Sequence, residues 1–211
     1  MCIRDRLHAA GVDFYDVIPI VDGIDGYFSA DIGGHDLGAA FITSALKVLL
    51  HQNFNSLYAP LEIMVLLNSV LLPVLNEGVL ISACCVRLNR RSNRLTVVDA
   101  GHPPLLHMDS KGTASFISAK GDLLGAFDTP YFESVEVNVT KGDRLFFFSD
   151  GLIENYHGRN ISRKEGMRHL EEALVARHGF SLAAMVEETA QSICGLNENP
   201  GDDLLLLGVE V

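Results

Sequence analysis

From Val79 to Phe148 the chain consists almost entirely of short apolar segments held apart by turn-forming clusters, and this stretch limits the possible folds more than any other. The segments are Val79 to Leu88, Arg94 to Ala100, Leu105 to Met108, Ala114 to Ile117, Tyr131 to Val139 and Arg144 to Phe148. Asn89 to Asn93, Ser110-Lys111-Gly112 and Lys141-Gly142-Asp143 punctuate them. Such a series reads as an antiparallel meander. Upstream, Val17 to Val21 and Gly26 to Ile32 flank a turn-like Asp22 to Gly26 and predict a hairpin. Gly38 to Gln52 then predicts one helix, and Pro60 suits the first position of a second running to about Leu75, both heavily buried. Helical spacing returns over Arg163 to Arg177 and Leu182 to Cys194, before Pro200-Gly201 and a final strand, Leu204 to Val211. Segregation of strands from helices predicts an α+β fold, with helices packed over mainly antiparallel sheets.

With 211 residues, 48% of them apolar, the chain can bury a substantial core. No apolar run reaches the ~20 residues needed to span a bilayer. The longest candidate, Leu61 to Leu75, contains Glu62, Asn68 and Pro73. MCIRDRLHAA lacks the ordered features of a secretory signal, so a cytoplasmic location is expected. Cys2, Cys84, Cys85 and Cys194 show neither metal-ligand spacing nor a disulfide framework, and read as core or incidental residues. Sixteen Lys plus Arg against 27 Asp plus Glu give a net charge of −11, which disfavours nucleic acid and anionic membranes as partners.

Four aspartates share one local setting, the end of an apolar run, often against glycine. They are Asp13 in GVDFYD, Asp31 in YFSADIGGHD, Asp150 in LFFFSDG and Asp202 in PGDDLLLL. A strand places its terminal residue reproducibly, and glycine lets a carbonyl or ligand approach closely. Carboxylates that converge from distant parts of a chain repel one another unless a cation neutralises them, and oxygen ligands select Mg²⁺ or Mn²⁺ over zinc. Asp-Gly pairs also form turns and Asp caps helices, so spacing alone establishes no metal site.

GVDFYD, SADIGGHDLGAAF, VDAGHPPLL, GDRLFFFSDGLIE and GDDLLLLGVEV occur in the order of motifs in the metal-dependent PPM protein phosphatases, and the chain most resembles their bacterial SpoIIE/RsbU type from Gly11 to the C-terminus. The resemblance implies an α-β-β-α sandwich with a two-metal centre holding Mn²⁺ or Mg²⁺. By motif position, Asp31 resembles the carboxylate bridging both metals, with the Ile32 carbonyl as a further ligand. Asp150 and Asp202 resemble ligands of one metal, and Asp13 the acidic residue on the other side. Asp16 and Asp203 match less well. The implied mechanism is hydrolysis of phosphoserine or phosphothreonine on a partner protein by a metal-activated water, without a phosphoenzyme. The implied substrate is an anti-sigma-factor antagonist with a STAS fold, and an upstream receiver or sensor domain is the implied regulator.

Several positions depart from the family pattern. Val12 replaces a glycine; Gly33 and Asp36 replace a serine and a glycine, and Asp36 suits a helix cap; Leu205 stands where a threonine is usual. His35 is a candidate general acid, although its offset from Asp31 differs from that of the eukaryotic family's histidine. His102, in AGHPP, reads as a turn or buried hydrogen-bonding residue, and Arg87, Arg90, Arg91 and Arg94 as a solvated cluster around a hairpin turn. Part of Leu61 to Leu75 is a candidate surface for a homodimer partner or an upstream helix. Residues 1–10 do not resemble the family's lead-in and are read as an artificial or truncated N-terminus before a phosphatase domain over 11–211 that lacks its first strand. The competing function is a catalytically weak regulatory or docking domain of the same fold. A nucleotidyl cyclase or another metal-dependent phosphotransfer enzyme is disfavoured by the lack of a phosphate-cradling P-loop or glycine-rich nucleotide motif.

Overall fold

The computed structural model describes residues 1–6, 13–33, 37–75, 79–156, 159–194 and 203–211. The first elements are β1 (Cys2–Arg6), β2 (Asp13–Val21), β3 (Ile24–Ile32), α1 (Leu37–Asn53) and α2 (Pro60–Leu71). The meander follows as β4 (Ile81–Asn89), β5 (Arg94–Ala100), β6 (Leu105–Met108), β7 (Ala114–Ile117), β8 (Ser134–Asn138) and β9 (Arg144–Phe148). Then come α3 (Asp150–Glu154), β10 (Asn155–Tyr156), β11 (Arg159–Asn160), α4 (Arg163–Val175), α5 (Leu182–Cys194) and β12 (Leu204–Glu210). Two compact units result: Met1–Ala9 with Leu105–Phe116 and Thr140–Val211, and Ala10–Pro104 with Ile117–Val139.

The Ala10–Pro104 unit holds a five-stranded sheet in the order β2-β3-β4-β5-β8, paired antiparallel throughout. The β2–β3 turn is tighter than the sequence predicts. Asp22 and Gly23 alone make it, with Gly23 at φ +73, a conformation glycine adopts without strain. Pro19, which donates no ladder hydrogen bond, sits on the edge strand next to a register irregularity. One face of the sheet contributes Phe28, Ala30, Ile32, Ile81, Ala83, Cys85, Val98 and Ala100 to a core with Leu46 and Leu50 of α1 and Ile63, Met64, Leu67 and Leu71 of α2.

The two helices are less buried than their composition predicts. Phe41 is 76% and Val48 55% exposed on α1, and Val65 and Val70 of α2 are also exposed, because each helix packs through one face only. Helix α2 begins at Pro60, and the Ala59 amide donates to the Glu62 carboxylate at 2.7 Å. It stops at Leu71 rather than near Leu75, as Pro73 restricts the residue before it.

The second unit holds a sheet in the order β1-β12-β9-β6-β7. Its core joins Leu106, Met108, Phe146 and Phe148 to Leu152 and Ile153 of α3, Leu170 and Leu174 of α4, and Met185, Val186 and Ile193 of α5. Contact between α3 and α4 is close enough to require glycine, since a Cβ on Gly166 would lie 1.6 Å from the Ile153 carbonyl oxygen. The arginine cluster is solvated at Arg91 and Arg94, 59% and 54% exposed as the sequence predicts, although each of the four arginines also meets a polar partner. Arg90 pairs with Asp25, Arg91 with Asp22 at 3.4 Å and Arg94 with Glu136 at 2.8 Å, while Arg87 donates to the carbonyls of Asn55 and Tyr58. Acceptors on strands and loops far along the chain are invisible to local composition. Among the described residues, no helix is long and apolar enough to cross a membrane.

Candidate metal centre

In the sheet containing β2 and β3, antiparallel register places Asp13 directly opposite Asp31. Directly opposed residues project to the same face, and like charges in that position destabilise the pair. Asp13 is buried at 8% exposure and Asp31 is half-buried, so neither carboxylate is fully hydrated. Asp16 lies three residues from Asp13, hence on the other face, where it accepts from the Val17 amide at 2.9 Å and meets His51 Nε2 at 2.9 Å. That pairing separates it from the Asp13–Asp31 pair. Ile32 ends β3 with a fully buried side chain, and Gly33 donates its amide to the Leu80 carbonyl at 3.2 Å, fixing the strand's exit. His35 and Asp36 lie outside the described residues.

In the other unit, Asp150 opens α3 and its Oδ1 accepts from the Gly151 amide at 2.8 Å. Ser149, immediately before it, forms a clip that the sequence reading did not single out. Its Oγ donates to the Asp203 carbonyl at 3.3 Å and accepts from the Leu205 amide at 2.9 Å, and its own amide donates to the Leu205 carbonyl at 3.2 Å. The only signal was a small polar residue closing an otherwise apolar strand. Leu205 therefore contributes backbone groups here, and its side chain is buried. Asp203 is 4% exposed, and Asp202 lies outside the described residues.

A buried polar row flanks the first carboxylate pair. Ser29, two residues before Asp31, is opposite Cys84, which is opposite Asp99. His102 joins this row as a buried hydrogen-bonding residue, in line with expectation. Its Nδ1 lies 3.0 Å from the Pro103 carbonyl, which only accepts, so Nδ1 carries a proton, and its Nε2 lies 3.1 Å from Ser29 Oγ. The His102 amide donates to Asp99 Oδ1 at 3.0 Å. Burial pushes the thiols of Cys84 and Cys85 well up, which keeps them protonated and fits the core role expected of them.

Among the described residues, no group of three or more His, Cys, Asp or Glu side chains is placed to hold a metal. The described carboxylates instead come as a pair opposed across two strands and as Asp150 clipped through Ser149 to the Asp203 backbone. Their chemistry fits a hard divalent cation: all donors are oxygen, and a cation would offset the repulsion between Asp13 and Asp31.

The family described as Stage II sporulation protein E (SpoIIE) matches residues 26–211. The chain belongs to the SpoIIE family. This bears out the family resemblance; the match spans four of the five motifs, with Asp31, Asp150 and Asp202, and begins after GVDFYD and its Asp13. Phosphoserine phosphatase RsbP of Bacillus subtilis (strain 168) is 26% identical over 146 residues, 67% of this chain but 36% of RsbP. Among solved structures, the RsbU and RsbW domains of a Mycobacterium tuberculosis protein give a TM-score of 0.86 at 21% identity, over 99% of this chain and 58% of that one. The PP2C phosphatase domain of Bacillus subtilis SpoIIE, solved with a fragment of its regulatory domain, gives 0.74 at 14% identity, over 99% of this SpoIIE-family chain and 62% of that one. These likenesses establish the fold, and the expected α+β class with two antiparallel sheets and helices is borne out.

Proposed function

We propose that this SpoIIE-family chain is a phosphatase domain that hydrolyses phosphoserine or phosphothreonine on a regulatory partner protein with the help of two divalent cations, Mn²⁺ or Mg²⁺. The observation that carries the reading is the opposition of Asp13 and Asp31 on adjacent strands, an arrangement unfavourable for a structural pair and useful for a cation. RsbP, a relative of this chain, is named a phosphoserine phosphatase. Asp13, Asp31, the Ile32 carbonyl, Asp150 and Asp202 are the groups that would hold the metals. Divalent cations bound there would act as Lewis acids, making water more acidic and offsetting charge on the phosphoryl oxygens.

The chain's own residues supply placement. The β2–β3 register holds Asp13 and Asp31 side by side, and the Ser149 clip holds the start of α3, where Asp150 sits. His35 is the candidate to protonate the departing serine oxygen. A STAS-fold anti-sigma-factor antagonist is the proposed substrate, an upstream receiver or sensor domain the proposed regulator and the cytoplasm the proposed setting, with a homodimer as the proposed assembly. Leu205 at the usual threonine position favours a second reading, a catalytically weak docking domain of the same fold.

Manganese-dependent release of phosphate from a phosphoserine peptide decides between them. The wild-type chain is expected to release phosphate, and Asp150→Asn to lose at least about 100-fold in rate, since even residues behind metal ligands cost 10- to 100-fold. No release from wild type, with manganese binding intact, would overturn the phosphatase reading in favour of the docking domain.

A further inference from the structure

Away from the carboxylates, the unit that contains α4 has a cavity of about 510 Å³ lined by Phe116, Arg163, Lys164, Met167, Arg168 and Glu171. Its apolar part is Phe116 of β7 and Met167 of α4, both half-buried. Phe116 stands edge-on to Phe148 at 6.3 Å, which anchors the apolar surface in the core. Its polar part is cationic, with three basic residues against Glu171, in a chain whose net charge is −11. Arg168 is shared with Glu172 at 2.7 Å, and Glu165 lies 4.0 Å from His169. Arg163 and Lys164 have no ion-pair partner among the described residues. Both stand in the first turn of α4, where cations oppose the helix dipole, so helix stability does not account for them. One wall, β7, is the outermost strand of its sheet among the described strands, and offers backbone groups to an extended chain.

We propose that this groove docks an extended acidic segment of the partner phosphoprotein, with one apolar side chain on Phe116 and Met167 and carboxylates facing Arg163 and Lys164. The charge complementarity is local, since the rest of the chain repels anions; the apolar floor selects a peptide over a nucleic acid. Identification of the partner as the substrate rests on the phosphatase reading; the docking itself does not. Helix α4 is pressed on α3 through Gly166 and Ile153, and the Ile161 amide donates to the Glu154 carbonyl at 2.9 Å, so the dock is built on the helix next to the one Asp150 begins.

The test is fluorescence anisotropy of a short fluorescein-labelled glutamate-rich peptide containing one leucine. Saturable binding is expected. The exposed double reversal Arg163→Glu with Lys164→Glu should weaken it about tenfold with a melting temperature no lower than that of wild type, since acidic residues suit the first turn of a helix, and replacing the peptide's leucine by serine should also weaken it about tenfold. With phosphoserine added to the same peptide, the reversal should raise KM and leave kcat, and turnover of p-nitrophenyl phosphate, unchanged. Absence of saturable binding, equal binding by the reversal variant, or equal competition by a single-stranded oligonucleotide would overturn the proposal. Because anisotropy requires no turnover, failure of the phosphatase reading would show separately, as binding without phosphate release.

Discussion

Asp31→Asn distinguishes a carboxylate kept for a cation from one kept for the fold, because the two roles give opposite signs of stability change. Opposed residues on antiparallel strands have Cβ atoms about 5 Å apart. Two full charges at that distance repel by about 0.8 kcal/mol in water and about 3 kcal/mol at an effective dielectric of 20. Asp31 is only half-buried, so the lower end applies and about 1 kcal/mol is a fair expectation. Without metal, the asparagine variant should therefore be more stable than wild type, by about 2–4 °C in melting temperature for a chain of this size. With manganese at about 100 times its dissociation constant, wild type should gain about 2.7 kcal/mol by linkage, and the variant almost none. Paired thermal melts in chelator and in manganese measure both quantities. A variant less stable than wild type in chelator by 1 kcal/mol or more would refute the reasoning, as would an undiminished manganese increment.

Other consequences concern buried polar groups and close contacts of the fold. Asp143 accepts from the Ser110 and Thr140 amides, the Thr140 hydroxyl and His107 Nε2, at 2.9 to 3.1 Å. Burial alone would raise its pKa, but the bonds from Thr140 and His107 prevail and hold the carboxyl below the usual range. A depressed folded-state pKa contributes stability above the unfolded value of about 4 that is lost as pH falls through the folded value, so acid titration should show wild type losing this increment below about pH 4. Asp143→Asn should cost about 2–3 kcal/mol in urea at neutral pH and flatten that acid limb. Gly166→Ala places a methyl group against the Ile153 carbonyl and should cost about 2–3 kcal/mol by urea unfolding; a loss below 0.5 kcal/mol would contradict the α3–α4 contact. Ser149→Ala leaves the buried Leu205 amide without its hydroxyl acceptor and should cost about 1–2 kcal/mol, with lowered phosphate release, whereas Ser149→Thr should restore much of both. Cys84 and Cys85 should resist a thiol reagent in the native protein and react on unfolding.

The meander was legible because strand runs and turn clusters are local signals, and β5, β6, β7 and β9 fall at the ends the sequence predicts. Elements missed by the sequence reading are those without a local period: β1, the five-residue α3 and the two-residue strands β10 and β11. Burial was over-read in α1 and α2, where Phe41 and Val48 add apolar character without contributing to packing, because mean composition does not say which face a helix buries. Asp31 and Asp150 were legible as carboxylates at the ends of apolar strands, whereas β2 begins at Asp13, four residues before the strand that the sequence predicts from Val17. That Asp13 and Asp31 face one another is a property of register, and register depends on a partner strand. The same holds for Ser149, whose two side-chain bonds reach residues more than 50 positions along the chain.

The unfavourable opposition of Asp13 and Asp31 persists because the rest of the sheet fixes it. Between Asp13↔Asp31 and Val21↔Ile24, β2 and β3 make eight paired positions, and β3 continues into β4 through nine more, from Ile24↔Asn89 to Ile32↔Ile81. A slip of β2 by one residue would relieve the charges but would turn its Phe14 and Ile18 away from the helices, at about 1.5–3 kcal/mol for each. Repulsion of about 1 kcal/mol cannot compete with that. The carboxylate pair is therefore held by strands rather than loops, and binding of the proposed cation would not need to order the groups that receive it. A local rule broken where the surrounding structure over-determines the geometry supports the proposal of a functional position. In this chain the clearest such break is the cross-strand pair Asp13 and Asp31.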